Sequence, residues 1–335
     1  MQENLPSDDR GQEIAGTIKH QVRKVIIDSE RAGQRIDNFL RGELPGVPKG
    51  RVYRMVRKGE VRVNGGRIKA EYKLKEGDEV RIPPAHIRIA GIPPSEKIFT
   101  NILDQVIYED KRLLVLNKPT GIAVHGGSGI SHGVIELLRY ARMDLKDLAL
   151  VHRIDRETSG CLIIAKKRSV LRNLHELFRQ SKVEKNYLAL VVGDWQLGNQ
   201  LIDAPLHIHN RQNGERHVVV NGSLGKQAQT KVSLSKRYGK YSLLQCVPIT
   251  GRTHQIRAHL EHAEFPILGD QRYGDDDANA ISRRLGLKRL FLHAQSISFV
   301  DDTGKDFHFT APLPEDLEKF LSFMTPKSTK KKNSD

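Results

Sequence analysis

The stretch Leu150-Val-His-Arg-Ile-Asp-Arg-Glu-Thr-Ser-Gly160, followed at once by Cys161-Leu-Ile-Ile-Ala165, decides how the rest of the chain is read. The polar part ends in glycine, which permits a tight turn into the apolar run behind it. That run is short and bounded by polar residues, as in a buried strand. Asp155 stands between Arg153 and Arg156, and nearby cations favour an ionised carboxylate. Thr158 and Ser159 bring hydroxyls able to fix the loop. An ionised carboxylate held at a strand end suits nucleophilic or base chemistry. The same spacing also suits an aspartate paired to arginine for structure alone.

On either side of this stretch the pattern is one of strands with a few helices. Leu113–Leu116, Tyr187–Val192, Tyr241–Val247 and Leu290–Val300 read as strands. A helix is expected from a Ser169 cap to Gln180, with Val170, Leu171, Leu174, Leu177 and Phe178 apolar. Two more are expected over Thr253–Ala263 and, opening on a proline, Pro314–Met324. Strands outnumber helices without regular alternation, which predicts an α+β domain with a mixed, mostly antiparallel sheet over 98–325.

The segment 21–83 reads as a separate, smaller α/β module. It holds sixteen Lys and Arg against nine Asp and Glu in under a fifth of the chain. A helix at Arg35–Arg41 precedes one at Lys49–Lys58, whose Val52, Met55 and Val56 form an apolar face. Arg51, Arg54, Arg57 and Lys58 occupy the other face, where several cations can follow an RNA backbone. Gly59 stops the helix, Asn64-Gly65-Gly66 makes a tight turn, and Asp78–Ile82 is a strand. Pro83-Pro84 and Gly91–Pro94 mark a linker at 84–97, while 1–20 and the basic tail 326–335 are expected to be disordered.

The net charge of +15 points to a polyanionic partner, nucleic acid before membrane. No run of eighteen apolar residues exists, and the first residues lack an export pattern, so a cytoplasmic protein is expected. Cys161 and Cys246 both sit in apolar runs and read as buried reduced thiols. Gly126-Gly-Ser-Gly129 is not followed by the lysine of a nucleotide-binding loop, no Gly-x-Ser-x-Gly occurs, and no metal-ligand spacing is present.

With these residues in view, His152-Arg-Ile-Asp155-Arg-Glu-Thr-Ser-Gly160 resembles the signature of the RluA-type pseudouridine synthases. Further motifs follow in the family's order. They are Asn117-Lys-Pro-Thr-Gly121 with Val124-His125, Lys185-Asn-Tyr187, and Gly251-Arg-Thr-His-Gln-Ile-Arg257-Ala-His259. Pro266-Ile-Leu-Gly269-Asp270 with Tyr273-Gly274, and Leu292-His-Ala294, complete the set. Ile154 replaces the commoner leucine, a volume-conserving change. The segment 21–83, opening with Gly33-Gln-Arg-Ile-Asp37, resembles the S4 RNA-binding domain.

The resemblance implies a pseudouridine synthase fold acting on uridines of large-subunit (23S) ribosomal RNA, free or in an assembling particle. It implies a monomer that needs no cofactor, since an isomerisation retains every atom. Asp155 is then the catalytic aspartate, by attack on the ribose or by removal of a ribose proton. Arg257 is its counter-cation, and Tyr187 stacks on the uracil or takes up its proton. Base extrusion must be offset by other contacts, for which Arg153, Arg156 and Lys118 are candidate phosphate or gap-filling residues and Leu292 an apolar wall. A non-catalytic RNA-binding assembly factor on the same scaffold is the alternative, separated from the enzyme by the presence of Asp155 with Tyr187 and Arg257. A nucleoside hydrolase stands further off, because no second carboxylate accompanies the motifs.

Overall fold

The computed structural model describes residues 17–44, 47–88, 101–126, 132–145, 147–210 and 216–324. The chain divides into two compact units, Met1–Pro93 and Pro94–Asp335.

The first unit contains strands β1 (Thr17–His20), β2 (Arg23–Ile26), β3 (Arg62–Val63), β4 (Glu79–Ile82) and β5 (Ala85–Arg88), with helices α1 (Ile36–Glu43) and α2 (Lys49–Arg57). Strands β2, β4 and β3 form an antiparallel sheet. Ile36, Phe39 and Leu40 of α1 and Val52, Met55 and Val56 of α2 pack with Val61, Leu74, Val80 and Ile82 into one core. The hairpin turn at Asn64-Gly65 has positive φ at both residues, 50° and 78°, as a two-residue connection requires. Strands β1 and β5 pair antiparallel with each other, Thr17 opposite Arg88. They correct, at residues 17–20, the expectation of a disordered 1–20, and they place a strand at 85–88 within the linker expected at 84–97. Four-residue strands that satisfy each other across the whole unit leave too little periodicity to be read locally. Residues 1–16, 89–97, 127–129 and 326–335, on which other expectations fell, lie outside the described residues.

The second unit is built on a ten-stranded sheet. Its strands are β6 (Val106–Glu109), β7 (Leu113–Lys118), β8 (Ala149–Leu150), β9 (Ser159–Ala165), β10 (Glu184–Val192), β11 (Gln200–Asp203), β14 (Gln229–Tyr238), β15 (Tyr241–Pro248), β16 (Leu292–Val300) and β17 (Asp306–Thr310), while β12 (Leu206–Asn210) and β13 (Arg216–Val220) form a separate hairpin. The order is β11-β14-β15-β10-β16-β9-β7-β6, with β17 on β16 and β8 on β9. Pairing is antiparallel except between β9 and β16, which run parallel through Ser159–His293 and Gly160–Ala294. The sheet is thus mixed and mostly antiparallel, and the domain α+β.

Among the described residues it carries helices α3 (Val134–Ala141), α4 (Arg168–Arg179), α5 (Gln255–His262), α6 (Asp276–Arg284) and α7 (Glu315–Ser322). Helix α4 begins one residue before Ser169, so that Lys167 takes the cap position and Ser169 lies in the first turn. Strand β9 is buried along its whole length. Ile163 faces Val170 and Leu174 of α4, whereas Leu162 and Ile164 face Val134 and Leu138 of α3. Cys161 and Cys246 are buried and unpaired, as read from their apolar surroundings.

Candidate active site

The loop before β9 lies where the parallel pair begins. Gly160 has φ +113°, and a Cβ there would stand 2.2 Å from the Ala294 carbonyl oxygen. Only glycine lets the two backbones run this close. The Ser159 hydroxyl is bonded to Arg289 at 2.6 Å and to His293 Nδ1 at 2.9 Å, which ties the loop's exit to β16. The Thr158 amide closes a turn on the Asp155 carbonyl at 3.2 Å. His152 Nε2 accepts from the Ile163 amide at 3.1 Å, and its ring stacks on Phe178. Burial, then the nearby Lys185 charge, pushes the His152 pKa down to about 3. This histidine is a neutral structural acceptor.

Asp155 thereby reaches the wall of a cavity of about 320 Å³. Arg153, Tyr187, Arg257 and Leu292 line the same cavity, so four more of the residues singled out from the sequence meet there. The geometry follows from the sheet order: β10 carries Tyr187, β16 next to it opens with Leu292, and the Asp155 loop leads into β9 on the far side of β16. Tyr187 pairs with Ala294, which in turn pairs with Gly160. Helix α5 supplies Arg257 after His254, whose φ of +51° turns the chain into the helix.

Arg257 NH1 lies 3.6 Å from Asp155 Oδ2. Its fork, however, is engaged elsewhere: Nε and NH2 donate to Asp270 Oδ2 and Oδ1 at 2.7 and 2.8 Å. The Tyr273 ring lies against the guanidinium, 5.0 Å away. Burial opposes the charge of Arg257, but the Asp270 bonds outweigh it and the pKa is raised. Arg257 thus faces Asp155 as a guanidinium that Asp270 orients and that presents one remaining nitrogen to it. Asp270 is the residue that sequence reasoning left without a role, although it stands in one of the motifs read above.

Three expectations change. Arg153 and Arg156 flank Asp155 in sequence, yet neither forms an ion pair with it among the described residues. Arg153 is exposed on the cavity wall, and Arg156 Nε donates to the Gly121 carbonyl at 2.9 Å. Lys118 is no phosphate contact. It is fully buried, and its ammonium donates to the carbonyls of Pro119, Ile122 and Arg156 at 2.8, 2.8 and 3.1 Å. Desolvation, then the Arg289 charge, lowers its pKa to about 7. Lys118 fastens the turn at 118–122 to the Asp155 loop.

In the first unit Arg51, Arg54, Arg57 and Lys58 are all exposed. Arg51 is paired with Glu60 at 3.0 Å. Arg54 and Arg57 line a groove with Arg67 and Lys69. Among the described residues no group of His, Cys, Asp and Glu is arranged to hold a metal ion, and no helix is long and apolar enough to cross a membrane.

Against known proteins, residues 112–262 match the family described as RNA pseudouridylate synthase, and residues 34–80 match the S4 domain. The chain is 49% identical over 315 residues to the ribosomal large subunit pseudouridine synthase C of Salmonella typhi, covering 92% of this chain and 98% of that protein. The chain belongs to the RNA pseudouridylate synthase family. The synthase is also 50% identical over 308 residues to the protein of the same name from Escherichia coli, covering 90% of this chain and 96% of the other. Among solved structures, it resembles human RNA pseudouridylate synthase domain containing 1, with a TM-score of 0.57 and 26% identity over 71% of this chain and 92% of that one. The synthase is therefore an RNA pseudouridine synthase with an S4 domain, and all the residues lining the cavity around Asp155 except Leu292 fall within the family match.

Proposed function

We propose that the synthase converts uridines of large-subunit (23S) ribosomal RNA to pseudouridine on a nucleotide turned out of its stack, with Asp155 as the reacting carboxylate. The observation that carries this reading is a single carboxylate on the cavity wall with the Arg257 guanidinium 3.6 Å behind it. The buried guanidinium sets a fixed counter-charge facing the carboxylate that either route, ribose attack or proton removal, would use. The bond from ribose to base N1 breaks, the base turns, carbon 5 bonds to the ribose and gives up its proton, and N1 takes one up, so that all atoms are retained overall.

Tyr187 offers its ring to the uracil. Burial, then the Asp155 charge, raises the pKa of its phenol, so a phenolate base is not on hand at neutral pH. Stacking is the role its surroundings support. Leu292, 3% exposed, closes the cavity as an apolar wall. Arg153 offers a cation where the RNA enters, and Arg156 remains exposed beside it. Arg54, Arg57 and Lys58 of the S4 domain, with Arg51 in part neutralised, grip backbone phosphates of the same RNA. The test is D155N, which removes the charge and little else. Isomerisation of a ribosomal RNA fragment is expected to vanish with affinity intact, and any sustained turnover by the variant overturns the reading.

A further inference from the structure

Lys185 lies two residues before Tyr187 on β10, and both line the cavity. Its ammonium has no carboxylate within ion-pair distance among the described residues, and its one close partner is the Phe178 ring, 5.9 Å away. The neighbouring acid, Glu184, is exposed and accepts from Asn186 instead. Asp155, the anion of the cavity, is held by Arg257. Burial alone pushes the Lys185 pKa down to about 8, as expected for a cation without a counter-charge. Proteins rarely leave a charge in such surroundings unpaired, because desolvation is costly and a ring face compensates only part of it. The missing anion therefore comes with the ligand, and the anionic group of RNA is the phosphodiester. A uracil carbonyl, only a dipole, compensates the half-buried Lys185 charge less well than an anion.

We infer that Lys185 is a substrate-binding residue, its ammonium taking a backbone phosphate of the nucleotide that enters the cavity. This rests on the cavity being the RNA site proposed above. Tyr187 and Lys185, alternating on one strand, then hold two parts of the same nucleotide: the base on the ring and the phosphate on the cation. Because a phosphate keeps its charge throughout the reaction, the contact contributes to binding equally before and during the chemistry and appears in KM rather than kcat.

The experiment compares wild type, K185M, K185R and D155N on one ribosomal RNA fragment, by equilibrium binding over a range of salt and by single-turnover isomerisation. K185M keeps the apolar stem against Phe178 and loses the charge. It is expected to bind about tenfold more weakly, with the slope of log affinity against log salt reduced by about one, and with the saturated rate within about twofold of wild type. K185R is expected to recover most of the affinity and the salt slope. Unchanged affinity and slope in a folded K185M overturn the inference, as does a loss confined to the saturated rate. Should K185M prove unfolded by circular dichroism, K185Q decides on the same criteria: a salt slope reduced by about one with the saturated rate retained supports the inference, and unchanged affinity and slope overturn it. A failure of the underlying reading is distinguishable, because D155N would then retain turnover whatever Lys185 does.

Discussion

Asp270 illustrates how one residue gives another its direction. An arginine has several rotatable bonds, and a lone 3.6 Å contact to Asp155 would not fix them. The two short bonds to Asp270 and the Tyr273 ring do so, at a place where Arg257 and Asp270 are almost wholly buried. Breaking one partner of a buried pair costs about 3–5 kcal/mol. D270N is therefore expected to lower stability by about 3 kcal/mol in urea unfolding and to slow isomerisation at least about tenfold, with RNA affinity retained. Lys118 provides a second test at this scale. Its folded pKa of about 7 lies below the free lysine value of about 10.4. Between those values the unfolded chain binds a proton that the folded chain has released, so the stability of wild type rises with pH there. Relative to K118M, the urea midpoint of wild type is expected to move upward from about pH 7 to about pH 9. K118M should bind RNA as wild type does, which separates a fastening lysine from a phosphate ligand. Both partnerships escape the sequence for one reason. The sequence displays that Arg257 and Lys118 are cations, but what consumes their donors is a carboxylate thirteen residues away and three backbone carbonyls, which no periodicity encodes.

The elements were easiest to read where burial is two-sided. Strand β9 is apolar without alternation because α3 covers one face and α4 the other, and the run Cys161–Ala165 states as much. Helix α2 and the Asn64-Gly65 turn follow from an apolar face and a positive-φ pair. The paired strands β1 and β5 did not, because each is four residues long and defined by a partner about seventy residues away. Asp155, Tyr187, Arg257 and Leu292 were legible through their motifs, not through spacing; that they share one cavity is a property of the strand order. Gly160 is where this order depends most on one side chain. G160A places a methyl against the Ala294 carbonyl and forces a positive φ on alanine. A loss of about 1–3 kcal/mol is expected, together with reduced turnover because the Asp155 loop must shift. A guanidinium denaturation curve and a single-turnover assay check the two parts separately.

Across the whole molecule, the basic groove of the first unit and the Asp155 cavity of the second belong to units with separate cores. The segment 21–83 holds seven of the fifteen net positive charges, and Arg54, Arg57, Arg67 and Lys69 line its groove together with Glu71. A chain starting at Pro94 is expected to isomerise a short RNA hairpin at a rate within about threefold of wild type, while binding long ribosomal RNA at least about tenfold more weakly and with a shallower salt dependence. Equal affinity of the truncated and full chains for long RNA would contradict this division of labour.

The parallel junction of β9 with β16 also bears on how the enzyme comes into being. Asp155, Tyr187 and Leu292 are brought together by strands widely separated along the chain, and such closures form late, after their entropic cost has been met by the surrounding sheet. A folding intermediate that lacks this junction is expected to lack the cavity. Competence is gained in one cooperative step, and amide hydrogens at Tyr187 and Ala294 are expected to exchange with solvent only through global opening.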